Sequence, residues 1–227
     1  MPGLVWAGER TIQAPTPAGG ITNGTVFTAA CALMLAKETD TTDVLFGLQV
    51  SGRQSFPESC QSIVGPCHNI FPGRFITIGH DSTRQFLSKI QNQYIQSLPF
   101  ETLGWDELRT HCSDLPPDIS NFGCCVAYQH LDWPQELQIR SPFAHVEPAP
   151  TVAVSPSTEG IGYVASNLQD LQQAPLHDIE IAGEVDASGL RLRVTVEVSE
   201  RLCNQQTVDR MVSEICNNVV ILASALR

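Results

Sequence analysis

The sequence predicts one α/β layered domain, a mixed sheet flanked by helices. Two patterns carry this reading. Segments with apolar residues at helical spacing alternate with short continuous apolar runs, and the chain then closes on a period-two hairpin and an amphipathic helix. Length agrees, because 227 residues can bury a substantial core without covalent staples. No internal repeat interrupts the order.

Taken in sequence, residues 1–20 are rich in Gly, Pro and Thr and offer only Leu4, Val5, Trp6 and Ile12 for burial. They predict an N-terminal arm or an extended strand, with the domain proper over 21–227. Asn23 is a good N-cap, and Val26, Ala30, Leu33 and Met34 recur at helical spacing, so a helix runs to about Glu38. Asp43 to Val50, DVLFGLQV, is a continuous apolar run that suits a strand covered on both faces and ends in Ser51, Gly52 and Arg53. After SIVGPCHNIF, a second buried strand is expected over Gly73 to Ile78. His80, Asp81 and Ser82 offer a cap for a helix with Phe86, Leu87, Ile90 and Tyr94 on its apolar stripe, stopped by Pro99. Trp105 to Thr110 adds a turn of helix, and Phe122 to Leu131, FGCCVAYQHL, a third buried strand.

Residues 132–176 are Pro-rich and irregular, which predicts a long, movable loop with one strand near Gly162. Ile179, Ile181 and Val185 alternate, DASG turns the chain, and Leu190 to Val198 alternate again, so a hairpin with one wet face follows. From Gln205 to Leu226 the stripe Val208, Met211, Val212, Ile215, Val219 and Leu222 predicts a helix packed on the sheet.

Composition narrows the function. Acidic residues outnumber basic ones 24 to 13, and the formal charge of -11 opposes phosphate backbones and anionic lipid surfaces, so nucleic acid and membrane are not expected partners. No run of eighteen apolar residues and no basic-then-apolar leader occurs. The eight cysteines lack C-x-x-C spacing and several lie in apolar runs, which favours buried free thiols in a reducing compartment, hence the cytosol. The six histidines are scattered, with none at i, i+3 or i+4 from another, so no metal site is expected.

Generic catalytic patterns such as G-x-S-x-G, H-E-x-x-H and the phosphate loop are absent. The stretch SIVGPCHNIFPGRF concentrates the remaining chemistry on one bend. On a strand, Cys67 and His68 would point to opposite faces, which argues against a thiolate–imidazole pair. His68 alone, as an imidazole side chain, is the candidate acid or base, the alternative being a turn histidine. Asn69 and Gln129 are amides at the edges of apolar runs, able either to fix two backbone segments or to orient a ligand. Arg53 could pair with an internal carboxylate or meet an anionic ligand.

The order of these pieces resembles the condensation domains of nonribosomal peptide synthetases, particularly fungal ones. The resemblance covers about residues 20 to 225. It rests on DVLFGLQVSGR, IVGPCHNIFPGRF, QNQYIQSLPFETLGWDEL and FGCCVAYQHL in succession. In that family the second segment is usually G-x-x-x-N-T, with Asn69 here at the Asn and Ile70 in place of Thr. LPFE at 98–101 matches the next family motif, Gln129 stands at the usual Gln of the following strand, and His130 stands where Asn is common. The resemblance implies the C-terminal lobe of a two-lobed, chloramphenicol-acetyltransferase-like fold.

It also implies acyl transfer without a cofactor of the chain's own, on an intermediate held as a phosphopantetheine thioester. The family motif H-H-x-x-x-D-G, or S-H-x-x-x-D, is absent from this sequence. The resemblance therefore implies a truncated condensation-like protein that assists amide-bond formation or cyclisation of a peptide natural-product intermediate, or else a non-catalytic lobe. Such a lobe would dock a carrier protein or complete an N-terminal condensation lobe. The chain is either native at Met1 or a fragment of a larger synthetase. His68 is expected as the catalytic group, and Asn69, Gln129, His130 and Arg53 as substrate contacts. Arg74, Arg84 and Lys89 are candidates for a local basic docking patch. A lobe without its mate should expose an apolar surface, so a homodimer or a hetero-complex is expected.

Overall fold

A computed structural model describes residues 5–53, 58, 67–79, 82–111, 122–130 and 178–226. Six strands form one mixed sheet: β1 (Val5–Gln13), β2 (Asp43–Val50), β3 (Asn69–Ile76), β4 (Cys124–His130), β5 (Ile179–Val185) and β6 (Arg191–Ser199). Their spatial order is β1-β6-β5-β4-β2-β3. β4 runs parallel to both β2 and β5, and every other pairing is antiparallel. The helices are α1 (Asn23–Glu38), α2 (Thr83–Ser97), α3 (Trp105–His111) and α4 (Gln205–Ser224), with a short 3-10 turn over Leu98–Phe100.

The two readings of the first twenty residues resolve over residues 5–13 in favour of the strand. β1 pairs with β6 along its whole length, from Val5 opposite Ser199 to Gln13 opposite Arg191. It therefore belongs to the sheet and is not a free arm. Sparse apolar content misled the alternative reading, because an edge strand needs only backbone pairing and a few side chains on its covered face.

Helix α1 begins one residue earlier than expected. Thr22 is the N-cap, in extended conformation, and its hydroxyl accepts from the Thr25 amide at 3.1 Å. Its burial also exceeds a stripe, since Val26, Phe27, Ala29, Ala30, Cys31 and Ala32 are all fully enclosed. Small residues on every side let α4, α2 and the sheet approach together, as for a helix apolar all round. The expected stripe residue Leu33 is only half-buried. Ion pairs from Lys37 to Glu214 and from Arg210 to Glu38, each 2.7 Å, bridge α1 and α4. These exposed pairs fix register more than they add stability.

The helix-facing side of the sheet is a continuous apolar layer. Leu192, Val194, Val196 and Val198 of β6 lie opposite Val185, Gly183, Ile181 and Ile179 of β5, and the α4 stripe predicted from sequence is buried against this layer. At Gly183 a Cβ would stand 2.7 Å from the Phe27 ring, so the missing side chain admits α1 to the sheet.

Two strands differ from expectation in a physically informative way. β2 alternates in burial along much of its length, with Asp43, Leu45 and Gln49 exposed, so it is not covered on both faces. β3 starts at Asn69, inside the bend motif, and contains Pro72. β3 has a single neighbour, and a proline is tolerated on such an edge. At α2, Ser82 caps by accepting from the Gln85 amide at 3.2 Å, and Tyr94, although on the apolar stripe, remains partly exposed. The β5–β6 turn closes on Asp186, whose carboxylate accepts from the amides of Leu190 and Arg191.

The expected loop over 132–176 and its strand near Gly162 lie outside the described residues, as do His80, Asp81 and Leu131. Among the described residues Cys31, Cys67, Cys124, Cys125, Cys203 and Cys216 are free thiols. No described helix is long and apolar enough to cross a membrane.

Candidate functional site

The parallel strands β2, β4 and β5 end on the same edge of the sheet, and ligands of α/β sheets collect in crevices outside such carboxyl ends. A cleft of about 290 Å³ opens there, lined by Ser51, Arg53, Cys67, His68 and Gln129 among others. Gly52 makes it possible. Its φ of 64° lies in the left-handed region, and a Cβ would collide with the Cys67 carbonyl oxygen. The end of β2 and the approach to β3 therefore close directly on each other, and His68 projects from that closure as an exposed side chain.

Arg53 and Gln129 share this cleft with His68, so three of the residues singled out from sequence converge although they lie up to 76 positions apart. Gln129 is also tied down. Its Nε2 donates to Glu184 Oε1 at 2.9 Å, while Arg193 Nε donates to the other carboxylate oxygen at 2.8 Å. Glu184 is buried, and this pairing keeps its charge from standing alone. The Gln129 amide is thereby presented at the cleft in a fixed orientation.

Asn69 lies apart from the residues lining the cleft. Its Nδ2 donates to the carbonyls of Glu101 and Leu103, each at 2.8 Å, and pins the start of β3 to the LPFETL turn. Both amide hydrogens are committed to backbone. Arg74, a candidate for a docking patch, forms a two-pronged contact with Asp43 at 2.7 to 3.1 Å, and that hydrogen bonding holds the Asp43 carboxyl below the usual carboxylate range.

His130 faces the other side of β4. It lines a second cavity, of about 390 Å³, between the start of α1, helix α2 and strands β2 to β4. Its ring meets Tyr128 edge-on with centroids 5.8 Å apart. Tyr128 and Gln49 line both cavities, which therefore lie side by side. The Tyr128 hydroxyl is buried, and although no closely aligned hydrogen bond reaches it, the Asn23 side chain lies within its hydrogen-bonding reach. Sequence reasoning passed over Tyr128 because a ring inside an apolar strand reads as core. The available signal was its phenol, which requires a partner when buried.

The buried thiols do not supply a nucleophile. Burial pushes Cys31 and Cys124 up, and it pushes Cys125 up to about 12 with help from the Glu180 charge. Thiolate is disfavoured at all three. Among the described residues no group of three or more His, Cys, Asp or Glu is placed to hold a metal ion.

Comparison with known proteins gives this geometry a family. The model of the Condensation domain matches residues 7–218. The chain is 38% identical over 224 residues to the bassianolide nonribosomal cyclodepsipeptide synthetase of Beauveria bassiana, covering 98% of this chain and 7% of that protein. It is 40% identical over 222 residues to the PF 1022-synthetase of Rosellinia sp., covering 95% of this chain and 6% of that protein.

Among solved structures, a protein designated CT superposes with a TM-score of 0.73 at 22% identity, over 99% of this chain and 46% of that one. The mutant starter condensation domain of the rhizomide synthetase RzmA superposes with a TM-score of 0.66 at 13% identity, over 98% of this chain and 47% of that one. The chain thus spans a small part of the synthetases it matches and about half of the solved chains. The two-lobed, chloramphenicol-acetyltransferase-like fold implied by the sequence motifs is the fold of these neighbours, and this chain has one lobe's worth of it. With the family model spanning nearly all of it, the chain belongs to the condensation-domain family.

Proposed function

We propose that this lobe assists amide- or ester-bond formation, including ring closure, on an acyl or peptidyl group delivered as a carrier-bound phosphopantetheine thioester. The observation that carries the reading is the cleft at the carboxyl ends of β2 and β4, where His68, Arg53 and Gln129 converge. In the proposed step an amine or hydroxyl attacks the thioester carbonyl. The neutral His68 imidazole takes the proton from the nucleophile as the new C–N or C–O bond forms. The C–S bond then breaks, and the departing thiolate receives the proton.

Gln129, oriented by Glu184, donates toward the substrate, and Arg53 stabilises developing negative charge at the cleft rim. Asn69 acts as a positioning residue through the β3 start, and His130 meets the substrate from the adjoining cavity. Ring closure is supported by the similarity to proteins named cyclodepsipeptide synthetases. The purified chain is incubated with a carrier-bound or soluble thioester intermediate, and wild type is compared with His68→Ala. Loss of general acid–base help should slow turnover by roughly a hundredfold to ten-thousandfold. Unchanged turnover would remove His68 from the mechanism.

A second reading has its own support. The sequence lacks H-H-x-x-x-D-G and the chain spans 46% of the CT protein, which favours a lobe that supplies walls and orientation to a partner lobe or docks a carrier protein. Under it the chain alone is inert, and activity appears only when an N-terminal condensation lobe is added.

A further inference from the structure

We propose that Glu184 and Arg193, neither of which is among the described residues lining the strand-end cleft, are positioning residues for it: together they fix which end of the Gln129 carboxamide a ligand meets. The consequence for turnover rests on the acyl-transfer reading above, but the amide orientation is measured without turnover, so the two can fail separately.

The three side chains stand in one row across the sheet. Gln129 of β4 is the register partner of Glu184 of β5, and Glu184 is the register partner of Arg193 of β6. Side chains at paired positions share a face, so contact runs from Arg193 through Glu184 into the cleft wall. Arg193 donates to one carboxylate oxygen from Nε at 2.8 Å and also from a terminal nitrogen. Gln129 Nε2 donates to the other oxygen at 2.9 Å.

This arrangement has a polarity. An ionised carboxylate only accepts hydrogen bonds, so the oxygen end of the Gln129 amide turned toward it would set acceptor against acceptor. Only the nitrogen end can face Glu184. One Nε2 hydrogen is committed there, and the second hydrogen and Oε1 remain for a ligand in a single arrangement. Arg193 secures the charge that enforces this: Glu184 is 7% exposed, and a carboxylate so enclosed needs a cation beside it.

Stability alone does not account for the pair. Burying an ion pair costs desolvation that an apolar pair of similar size avoids. Nor does this face of the sheet depend on matched charges, since four residues along β5 Glu180 stands opposite Glu197. What distinguishes Glu184 is its neighbour Gln129, which lines the cleft with His68 and Arg53.

The test uses the full chain with 15N-labelled glutamine side chains, and Gln129→Ala identifies the Gln129 signal. Glu184→Gln keeps the shape but puts a neutral amide beside Gln129, one that accepts or donates, so both orientations of Gln129 make a hydrogen bond. The Arg193 side chain is 33% exposed and is left in reach of water, so the variant should retain its fold. Arg193→Met removes the cation. Wild type should show one Gln129 side-chain amide pair by NMR at pH 7, and both variants should show it doubled or broadened. An unchanged pair in either folded variant would overturn the proposal. Should Arg193→Met not fold, Glu184→Gln decides.

Turnover of alanyl-N-acetylcysteamine thioester with glycinamide gives the second readout. Glu184→Gln should lower kcat about three- to tenfold, the range of one neutral hydrogen bond, at unchanged KM. The double variant Gln129→Ala with Glu184→Gln should be no slower than Gln129→Ala, because a residue that acts through Gln129 has nothing to add once it is gone. A slower double variant would overturn the proposal. Doubled amide signals with no turnover in any protein would leave it standing and count against the acyl-transfer reading instead.

Discussion

Glu180 of β5 and Glu197 of β6 stand directly opposite each other in an antiparallel register, on the sheet face away from the helices. Crowding by the sheet, and then the Glu197 charge, raise the Glu180 pKa, although the side chain still reaches solvent. A raised folded-state pKa means folding favours the protonated form. The stability from that group is fully present below its unfolded pKa and is lost as the pH rises through the folded one. Glu180→Gln should therefore stabilise the chain at pH 7, at the lower end of the about 0.2–1 kcal/mol typical of cross-strand pairs, since solvent screens the repulsion. The gain should fade as the pH drops through the Glu180 titration toward about 4, the ordinary glutamate range. Urea denaturation of both proteins at the two pH values measures this; an equal gain at both would reject the electrostatic cause.

At the scale of elements, the joint between β3 and the turn after α2 depends on one side chain. Asn69 satisfies two backbone carbonyls at once, those of Glu101 and Leu103, with Glu101 itself buried. Asn69→Ala leaves both acceptors to find other partners and should cost about 1–3 kcal/mol. Asn69→Asp should cost more, because a carboxylate would face two carbonyl oxygens. Urea midpoints for the two variants test the order, and a wild-type midpoint for Asn69→Ala would show that the joint is held elsewhere. Most elements were legible because their signals are local: the α4 stripe, the alternation of β5 and β6, and the Ser82 cap each need only neighbouring residues. β1 was legible only as one of two alternatives, and β3 was expected to start four residues late. Both are edge strands, whose pairing partners lie far away in sequence.

For the whole molecule, the chain has one lobe of a fold whose solved examples are about twice its length. Leu45, Ile76 and Ile78 are exposed around β2 and β3, and Ile95 and Phe100 around the end of α2. Apolar surface of this kind favours association. We expect the purified chain to self-associate at micromolar concentration, or to form a complex when an N-terminal condensation lobe is supplied. Light scattering that shows a monomer in both conditions would count against this.

The sequence by itself determined the α/β class, the apolar faces of α4 and the hairpin, the condensation-type order of motifs, and His68, Arg53 and Gln129 as residues worth watching. Periodicity and motif order are properties of the chain in one dimension, so they survive without coordinates. Only the tertiary structure decided which of those residues meet. It brought Arg53, His68 and Gln129 to one cleft, committed the Asn69 amide to backbone carbonyls, turned His130 into a different cavity, and placed the buried Tyr128 hydroxyl within reach of Asn23. The reason is that alternation along β4 sends Gln129 and His130 to opposite faces, while the cleft depends on Gly52 closing against Cys67, a contact between segments that no local pattern encodes.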